Sequence, residues 1–214
     1  MRNKFDEQLL HLNQKMIGMG ALCERFIALA AEALISGDTK GAEEIIEHGH
    51  EIDEMEREIE AICLKLLLHQ QPVASDLRQI SAALKMITDM ERIGDQAEDI
   101  AEIIPLLQGR TGKELADFKP MAEATSKMVT DSIEAFVKRD LELAKSVSKQ
   151  DDIVDNCFVN VRAKLIDMIT DTNTDGEYAV DILMIAKYFE RIGDHAVNIA
   201  EWVAFSVTGV HKGL

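Results

Sequence analysis

One segment of this chain occurs twice, and the duplication constrains the fold more than any other feature of the sequence. Glu91-Arg-Ile-Gly-Asp95 is followed 99 positions later by Glu190-Arg-Ile-Gly-Asp194. Solenoid repeats have periods of roughly 20 to 50 residues, so this period is too long for one. Each copy is better explained as part of a domain-sized unit with its own core. The sequence therefore predicts two similar halves.

The spacing of apolar residues indicates α-helices along almost the whole chain. Apolar side chains recur at steps of three and four, as at Leu12, Met16, Met19, Cys23 and Phe26, which is the period of a buried helix face. Six long helices are predicted, at about residues 9–36, 42–70, 75–107, 115–138, 141–170 and 178–207, with Ser75 as a plausible N-cap. No strand-like alternation competes with this pattern. The predicted fold is all-α, with two pseudo-symmetric antiparallel three-helix bundles.

A short polar stretch separates the two halves. Gln108-Gly-Arg-Thr-Gly-Lys113 holds two glycines and little that is apolar, which is typical of a linker. We therefore predict a first bundle at residues 1–107, a linker at 108–114 and a second bundle at 115–214.

The charge and cysteine content limit the class of partner and the compartment. A formal charge of −16 argues against nucleic acid, whose phosphates are bound by lysine and arginine. It favours cations and basic protein surfaces instead. The three cysteines form no Cys-x-x-Cys pair, the N-terminus lacks the apolar core of a signal peptide, and no apolar run approaches a membrane span. We expect a cytoplasmic protein without a membrane span, able to associate with membranes through a partner.

The repeated segment carries a stripe of carboxylates. On a helix, five acidic residues of the first copy share one side: Glu91, Asp95, Glu98, Asp99 and Glu102. Side chains four positions apart lie one above the other and can bind a common ion. A solvated acidic face is the plainer explanation, but such a face would mix lysine into the stripe, and neither copy does. Gly94 and Gly193 inside the helices suggest the close approach of a neighbouring helix or a ligand, although they also suit simple packing.

A metal site needs ligands from a second helix, and acidic residues recur there in both halves. The 99-residue offset aligns Asp53 and Glu56 with Asp152 and Asp155, and Asp151-x-x-x-Asp155 repeats the helical spacing. The predicted metal ligands are Glu91, Asp95, Asp99, Asp53 and Glu56 in the first half, and Glu190, Asp194, Asn198, Asp151, Asp152 and Asp155 in the second. Oxygen ligands suit Mg²⁺, Ca²⁺, Mn²⁺ or iron, whereas zinc more often takes histidine or cysteine. His195, His48 and His50 are possible nitrogen ligands.

Three features together resemble the PhoU family. They are the duplicated Glu-Arg-Ile-Gly-Asp, the turn Gln71-Pro-Val-Ala-Ser-Asp-Leu-Arg78 and the run Asp151-Asp-Ile-Val-Asp155. The resemblance implies two three-helix bundles, each binding a metal cluster, with iron or zinc as the metal. It also implies a negative regulator of the phosphate response that links the ATP-binding subunit of the phosphate transporter to the phosphate-sensing histidine kinase. Ile52 stands where the second half has Asp151, which leaves the ligand count of the first cluster open.

Two other classes of function are weighed against this one. A helical adaptor without metal fits the same sequence, and metal analysis of the purified protein separates the two. A ferritin-like di-iron oxidase needs paired Glu-x-x-His motifs, and the sequence has Glu47-x-x-His50 alone. We therefore predict that the protein is not an enzyme. The sequence leaves a homodimer open.

Overall fold

The computed structural model describes residues 2–69, 73–170 and 175–210, and within these ranges the chain contains helices and turns but no strand. The α-helices are α1 (Arg2–Ser36), α2 (Lys40–His48), α3 (His50–His69), α4 (Ala74–Ile103), α5 (Phe118–Lys138), α6 (Leu141–Ile169) and α7 (Gly176–Thr208). Two short 3-10 helices, Ile104–Leu107 and Lys113–Asp117, lie between α4 and α5. The all-α prediction is confirmed.

The helices pack as two bundles that share one core. The first contains α1, α4 and a third arm formed by α2 and α3 in succession, and the second contains α5 to α7. The two meet where α4 packs on α7 and α1 packs on α5. Buried apolar side chains from both halves join in a continuous cluster. The prediction of two pseudo-symmetric three-helix bundles is confirmed, whereas the domain limits 1–107, 108–114 and 115–214 stay predictions.

The second predicted helix is divided at Gly49, which corrects the expectation of one uninterrupted helix. Gly49 lies between α2 and α3, although its backbone angles, φ −53° and ψ −40°, remain helical. Glu98 of α4 reaches this point, with its Oε2 atom only 2.7 Å from where a Cβ on residue 49 would be. A glycine here therefore leaves room for an acidic side chain of the neighbouring helix.

The start of α4 also differs from the expectation. The N-cap is Val73 rather than Ser75, and the Val73 N–H donates to Asp76 Oδ2 at 3.3 Å. The Asp76 carboxylate therefore satisfies a backbone donor next to the positive end of the helix dipole. Residues 71–72 of the predicted turn before α4, and residues 171–174 between the last two predicted helices, lie outside the described residues.

The three thiols are buried in the helical core rather than arranged as a reactive site. Burial raises the pKa of Cys23 and of Cys63 to about 12, so both stay protonated at neutral pH. Within the described ranges, none of the helices has a long enough apolar stretch to span a bilayer.

The repeated glycine of the first half lets α3 approach α4 closely. A Cβ on Gly94 would lie 2.6 Å from Ile52 Cδ1 and 3.2 Å from Ile52 Cγ2. Ile52 is buried and branched at Cβ, so rotation of its side chain cannot relieve both contacts. We expect Gly94→Ala to lower the free energy of unfolding by about 1 to 3 kcal/mol, measured by urea denaturation of metal-free protein.

Gly18 provides the matched control. It also lies inside a long helix, but an added Cβ would meet only the flexible end of Met55, at 3.2 Å. Gly18→Ala should therefore keep or raise the stability, by up to about 1 kcal/mol, because alanine favours the helix. Equal effects of the two substitutions would mean that Gly94 has no special packing role.

Candidate metal site

The acidic residues of α3 and α4 surround one cavity in the first half. This cavity, of about 250 Å³, is lined by Asp53, Glu91, Asp95 and Glu98, among others. One carboxylate oxygen from each of Asp53, Glu91 and Asp95 lies within 4.8 Å of the other two. Three of the predicted ligands are thus brought together from two helices, at a separation that a single ion could bridge.

The contacts between the helices explain why these oxygens converge. Ile52 packs where Gly94 lacks a side chain, and Glu98 packs where Gly49 lacks one. Each glycine allows the opposite helix to come closer than alanine would. Asp53 follows Ile52 in α3, so the same close approach carries its carboxylate towards α4.

The electrostatics of this cavity favour a cation. Burial and then the negative charge of Asp95 raise the pKa of Glu91, with further contributions from Glu56 and Asp53. Burial followed by the charges of Glu102 and Asp95 likewise raises the pKa of Glu98. The folded protein therefore holds carboxylates that are costly to ionise together, and a bound metal ion would offset that cost.

One buried oxygen in the cavity lacks a hydrogen-bond donor. Glu91 Oε2 is buried and accepts no hydrogen bond from any residue that the structure describes. Arg92 Nε lies 3.3 Å away, but the contact lacks hydrogen-bond geometry, and Arg92 Nη1 donates to Asp95 at 3.1 Å instead. A bound metal ion would supply the partner that this buried acceptor lacks. The residues present therefore fit a metal ion.

The second half has a corresponding group of acids on α6 and α7. Burial, and then repulsion from Asp155, Asp194 and Glu190, raises the pKa of Asp151 to about 6. Burial followed by the charge of Glu190 also raises the pKa of Asp194, while Lys187 lowers it. Lys187 forms an ion pair with Glu190, so a lysine partly neutralises this group.

The two halves use the same framework with different side chains. Asp151 Oδ1 would lie 2.9 Å from a Cβ on Gly193, as Ile52 lies against Gly94. A methyl group in the first half thus takes the place of a carboxylate in the second. Even so, among the described residues the three-acid convergence is found in the first half, so the change to Ile52 has not prevented it.

The other predicted ligands are placed in several surroundings. Glu56 accepts a hydrogen bond from the Thr88 hydroxyl at 3.3 Å, and Asp152 is exposed. Burial and then the charges of Glu102 and Asp95 raise the pKa of Asp99, while Arg191 of α7 lowers it. Asp99 is half-buried on α4, the helix that packs on α7.

Asp89 is a polar residue of this contact that the sequence did not single out. Its Oδ1 atom accepts from Asn198 Nδ2 at 3.1 Å and lies 2.9 Å from His195 Nδ1. Its counterpart 99 positions later is Tyr188, so the comparison of the two repeats did not point to an acidic residue at this position. The structure thus joins Asn198 and His195 to an acid of the first half.

The other two candidate histidines lie at the end of α2 and at the start of α3. His48 Nδ1 is 2.8 Å from Glu51 Oε1, and His50 Nδ1 is 3.1 Å from the Glu47 carbonyl oxygen. His50 also lines the cavity of the first half. Among the residues that the structure describes, the convergent ligand atoms are all carboxylate oxygens.

The raised pKa of Asp151 gives the stability of metal-free protein a defined pH dependence. Its usual value of 3.8 rises to about 6 on folding, so the folded state holds this proton more tightly than the unfolded state. The corresponding stability is present below about pH 4 and is lost as the pH rises through about 6. Asp151→Asn should therefore stabilise metal-free protein by about 1 kcal/mol at about pH 7.5, after allowance for solvent screening.

Urea denaturation of chelator-treated protein at several pH values would measure this difference. It should vanish below about pH 4, where the aspartic acid is neutral. Asp167→Asn, at an exposed position of the same helix, is the control and should show no such dependence. A stability gain that persists unchanged at low pH would rule out charge as its cause.

Fold and site together define a class of helical protein: two pseudo-symmetric three-helix bundles that carry a carboxylate site between their helices. The family model of the PhoU domain matches residues 16–104 and 118–203. Each of the two matched ranges contains one copy of the repeated segment. The chain belongs to the PhoU family.

Individual relatives agree with this assignment. The phosphate-specific transport system accessory protein PhoU homolog of Clostridium acetobutylicum is 35% identical over 210 residues, covering 97% of this chain and 96% of the relative. The homolog of the same name from Pseudomonas aeruginosa is 33% identical, covering 99% of this chain and 89% of the relative.

Solved structures extend the likeness to three dimensions. The crystal structure of PhoU from Pseudomonas aeruginosa has a TM-score of 0.90 at 33% identity and covers 96% of this chain and 100% of its own. The crystal structure of the phosphate transport system regulatory protein PhoU from Streptococcus pneumoniae matches this chain with a TM-score of 0.89 at 28% identity. The match covers 98% of this chain and 100% of the other.

Proposed function

We propose that this protein is an accessory protein of phosphate-specific transport that restrains the phosphate response as a metal-binding, cytoplasmic adaptor. Its family membership over both halves carries the proposal, because the relatives are named as accessory proteins of that transport system. The role is regulatory rather than enzymatic. Its two proposed partners are the ATP-binding subunit of the phosphate transporter and the phosphate-sensing histidine kinase.

The metal part of the proposal is supported by the first-half cavity. Asp53, Glu91 and Asp95 would hold the ion, and Glu91 Oε2, which accepts no hydrogen bond from the described residues, would be one of its ligand atoms. When bound, the ion supplies positive charge that holds α3 and α4 together. The oxygen ligands favour Mg²⁺, Mn²⁺, Ca²⁺ or iron over zinc.

The second half would hold its own ion with Asp151, Asp155, Glu190 and Asp194. The mutual repulsion that raises the pKa values of Asp151 and Asp194 supports this assignment. Glu56, Asp99, Asp152 and Asn198 are retained as further candidate ligands of the two sites. An adaptor without metal is the alternative, and metal analysis of protein purified without chelator distinguishes the two.

The adaptor part predicts docking that depends on charge. A chain with a formal charge of −16 should be steered towards basic surfaces of its partners, and salt should weaken such contacts. We expect this protein to bind the ATP-binding subunit or the kinase more tightly at about 0.1 M salt, where the screening length is roughly 10 Å, than at about 0.5 M.

Surface plasmon resonance with each purified partner would measure the effect, with an unrelated protein of similar negative charge as the control. Binding of that control with equal strength would show that charge alone drives the contact. Absence of binding to either partner at low salt would remove the adaptor role and leave a helical metal-binding protein.

A further inference from the structure

An apolar groove runs along the face where α1 packs on α5. It contains two cavities, of about 300 and 540 Å³. Residues 17–24 of α1 and 130–138 of α5 line the first cavity, and residues 28–36 of α1 and 119–126 of α5 line the second. The two cavities therefore lie in line along the same antiparallel helix pair.

The groove is long enough to hold a helix of about five turns. From Ile17 to Ser36 the α1 backbone rises by roughly 28 Å, which is the length of a helix of about 19 residues. Gly20 and Ile133 make the close contact between α1 and α5 from which the first cavity opens. Alanines such as Ala28 line the second cavity, so another helix could approach the α1 and α5 backbones closely.

The groove is apolar in its interior and mainly acidic at its margins. Ile17 and Ile35 are exposed large apolar residues, 49% and 38% accessible. Four glutamates, Glu24, Glu32, Glu123 and Glu134, line the cavities together with two lysines, Lys119 and Lys138. Lys138 is paired with Glu134, whereas neither Glu32 nor Glu123 forms an ion pair with any residue that the structure describes.

We propose that this groove, which we call the α1–α5 groove, binds an amphipathic helix of a partner protein that has a small apolar face and basic flanks. Such a helix would fill the two cavities, and its lysine or arginine side chains would reach Glu32 and Glu123. The inference deepens the proposed adaptor function and rests on it for the partner. It also separates partner docking from the metal site, whose residues lie on α3, α4, α6 and α7.

A second copy of this chain fits the groove less well. Each copy carries the same acidic margins and a formal charge of −16. A dimer across this face would bring like charges together in an apolar setting, which is unfavourable. A basic helix relieves that repulsion, so charge complementarity favours it over self-association.

A designed peptide tests the groove directly. The probe is a fluorescein-labelled helical peptide of about 20 residues, with alanine and leucine on one face and lysine at the flanks. A peptide with glutamate in place of lysine is its control. We expect fluorescence anisotropy to show at least about tenfold tighter binding of the lysine peptide.

One cavity-filling variant and one double charge reversal locate the binding site. Ala28→Phe fills the larger cavity from an exposed position and should weaken binding of the lysine peptide by about tenfold or more, whereas Ala61→Phe, at an exposed position on α3, should leave it unchanged. Glu32→Lys with Glu123→Lys should also weaken it, and Glu7→Lys with Glu60→Lys is the charge-matched control. The charge pair keeps the test valid if Ala28→Phe does not fold.

The outcomes distinguish this inference from the proposed function. Equal weakening by the groove and control substitutions would overturn the inference, as would a dimer by sedimentation that Ala28→Phe converts to monomers. If wild-type protein captures the transporter subunit or the kinase and Ala28→Phe captures it equally well, the groove inference fails alone. If wild-type protein captures neither, the proposed function fails whatever the peptide does.

Discussion

Protein in which Asp53, Glu91 and Asp95 are replaced by Asn, Gln and Asn is expected to lose about half of its bound metal, because one of two carboxylate sites loses its ligands. The same protein stripped of metal should be more stable than wild type. Relief of the Glu91 and Asp95 repulsion alone contributes roughly 0.2 to 0.5 kcal/mol. Elemental analysis of protein purified without chelator, and urea denaturation after chelator treatment, measure the two effects.

Loss of bound metal together with a gain in the stability of metal-free protein distinguishes a metal ligand from a structural residue. Replacement of a structural residue would destabilise the metal-free protein. Replacement of a metal ligand would destabilise only the metal-loaded protein. Glu190→Gln with Asp194→Asn provides the parallel test in the second half and should remove the other half of the metal. Unchanged metal content in both variants would exclude these acids as metal ligands and favour the adaptor without metal.

Deletion of the gene for this protein is expected to raise the expression of phosphate-starvation genes in phosphate-rich medium to the level of starved cells. The reason is that the proposed adaptor restrains the kinase when phosphate is plentiful. A reporter joined to a phosphate-responsive promoter measures this output in both media.

Complementation gives the controls for this experiment. Wild-type protein should restore repression. The variant with Asp53, Glu91 and Asp95 replaced by Asn, Gln and Asn tests whether repression needs the first metal site. Reporter output that stays low in the deletion strain would contradict the assignment of negative regulation.

The main features of the fold follow from short-range sequence patterns. The recurrence of apolar residues at steps of three and four reports the buried face of each helix directly, because that period is local to the helix. The duplicated segment then predicts that the same arrangement occurs twice. The turn at Gly49 was missed because it lies against Glu98, which is distant in sequence. The N-cap at Val73 is a local feature, bonded to Asp76, and it was missed because helix ends are uncertain by one or two residues.

The candidate site was predictable in part. The i, i+4 spacing placed Glu91 above Asp95 and placed Glu190 above Asp194, since that relation is contained within a single helix. The pairing of α3 with α4 was also expected from the recurring acids on the second helix. Which oxygens converge across helices was not predictable, because that distance depends on the rotation and separation of two helices.

The sequence by itself determined the helical class, the two similar halves and the acidic character of the repeated segment, since all three are properties of local spacing and composition. Only the tertiary structure decided that Asp53 meets Glu91 and Asp95, and that Asn198 and His195 contact Asp89. Glycine contacts such as that of Gly94 with Ile52 set the distance between helices. That distance, which is a property of packing and not of any one helix, determines which carboxylates can share an ion.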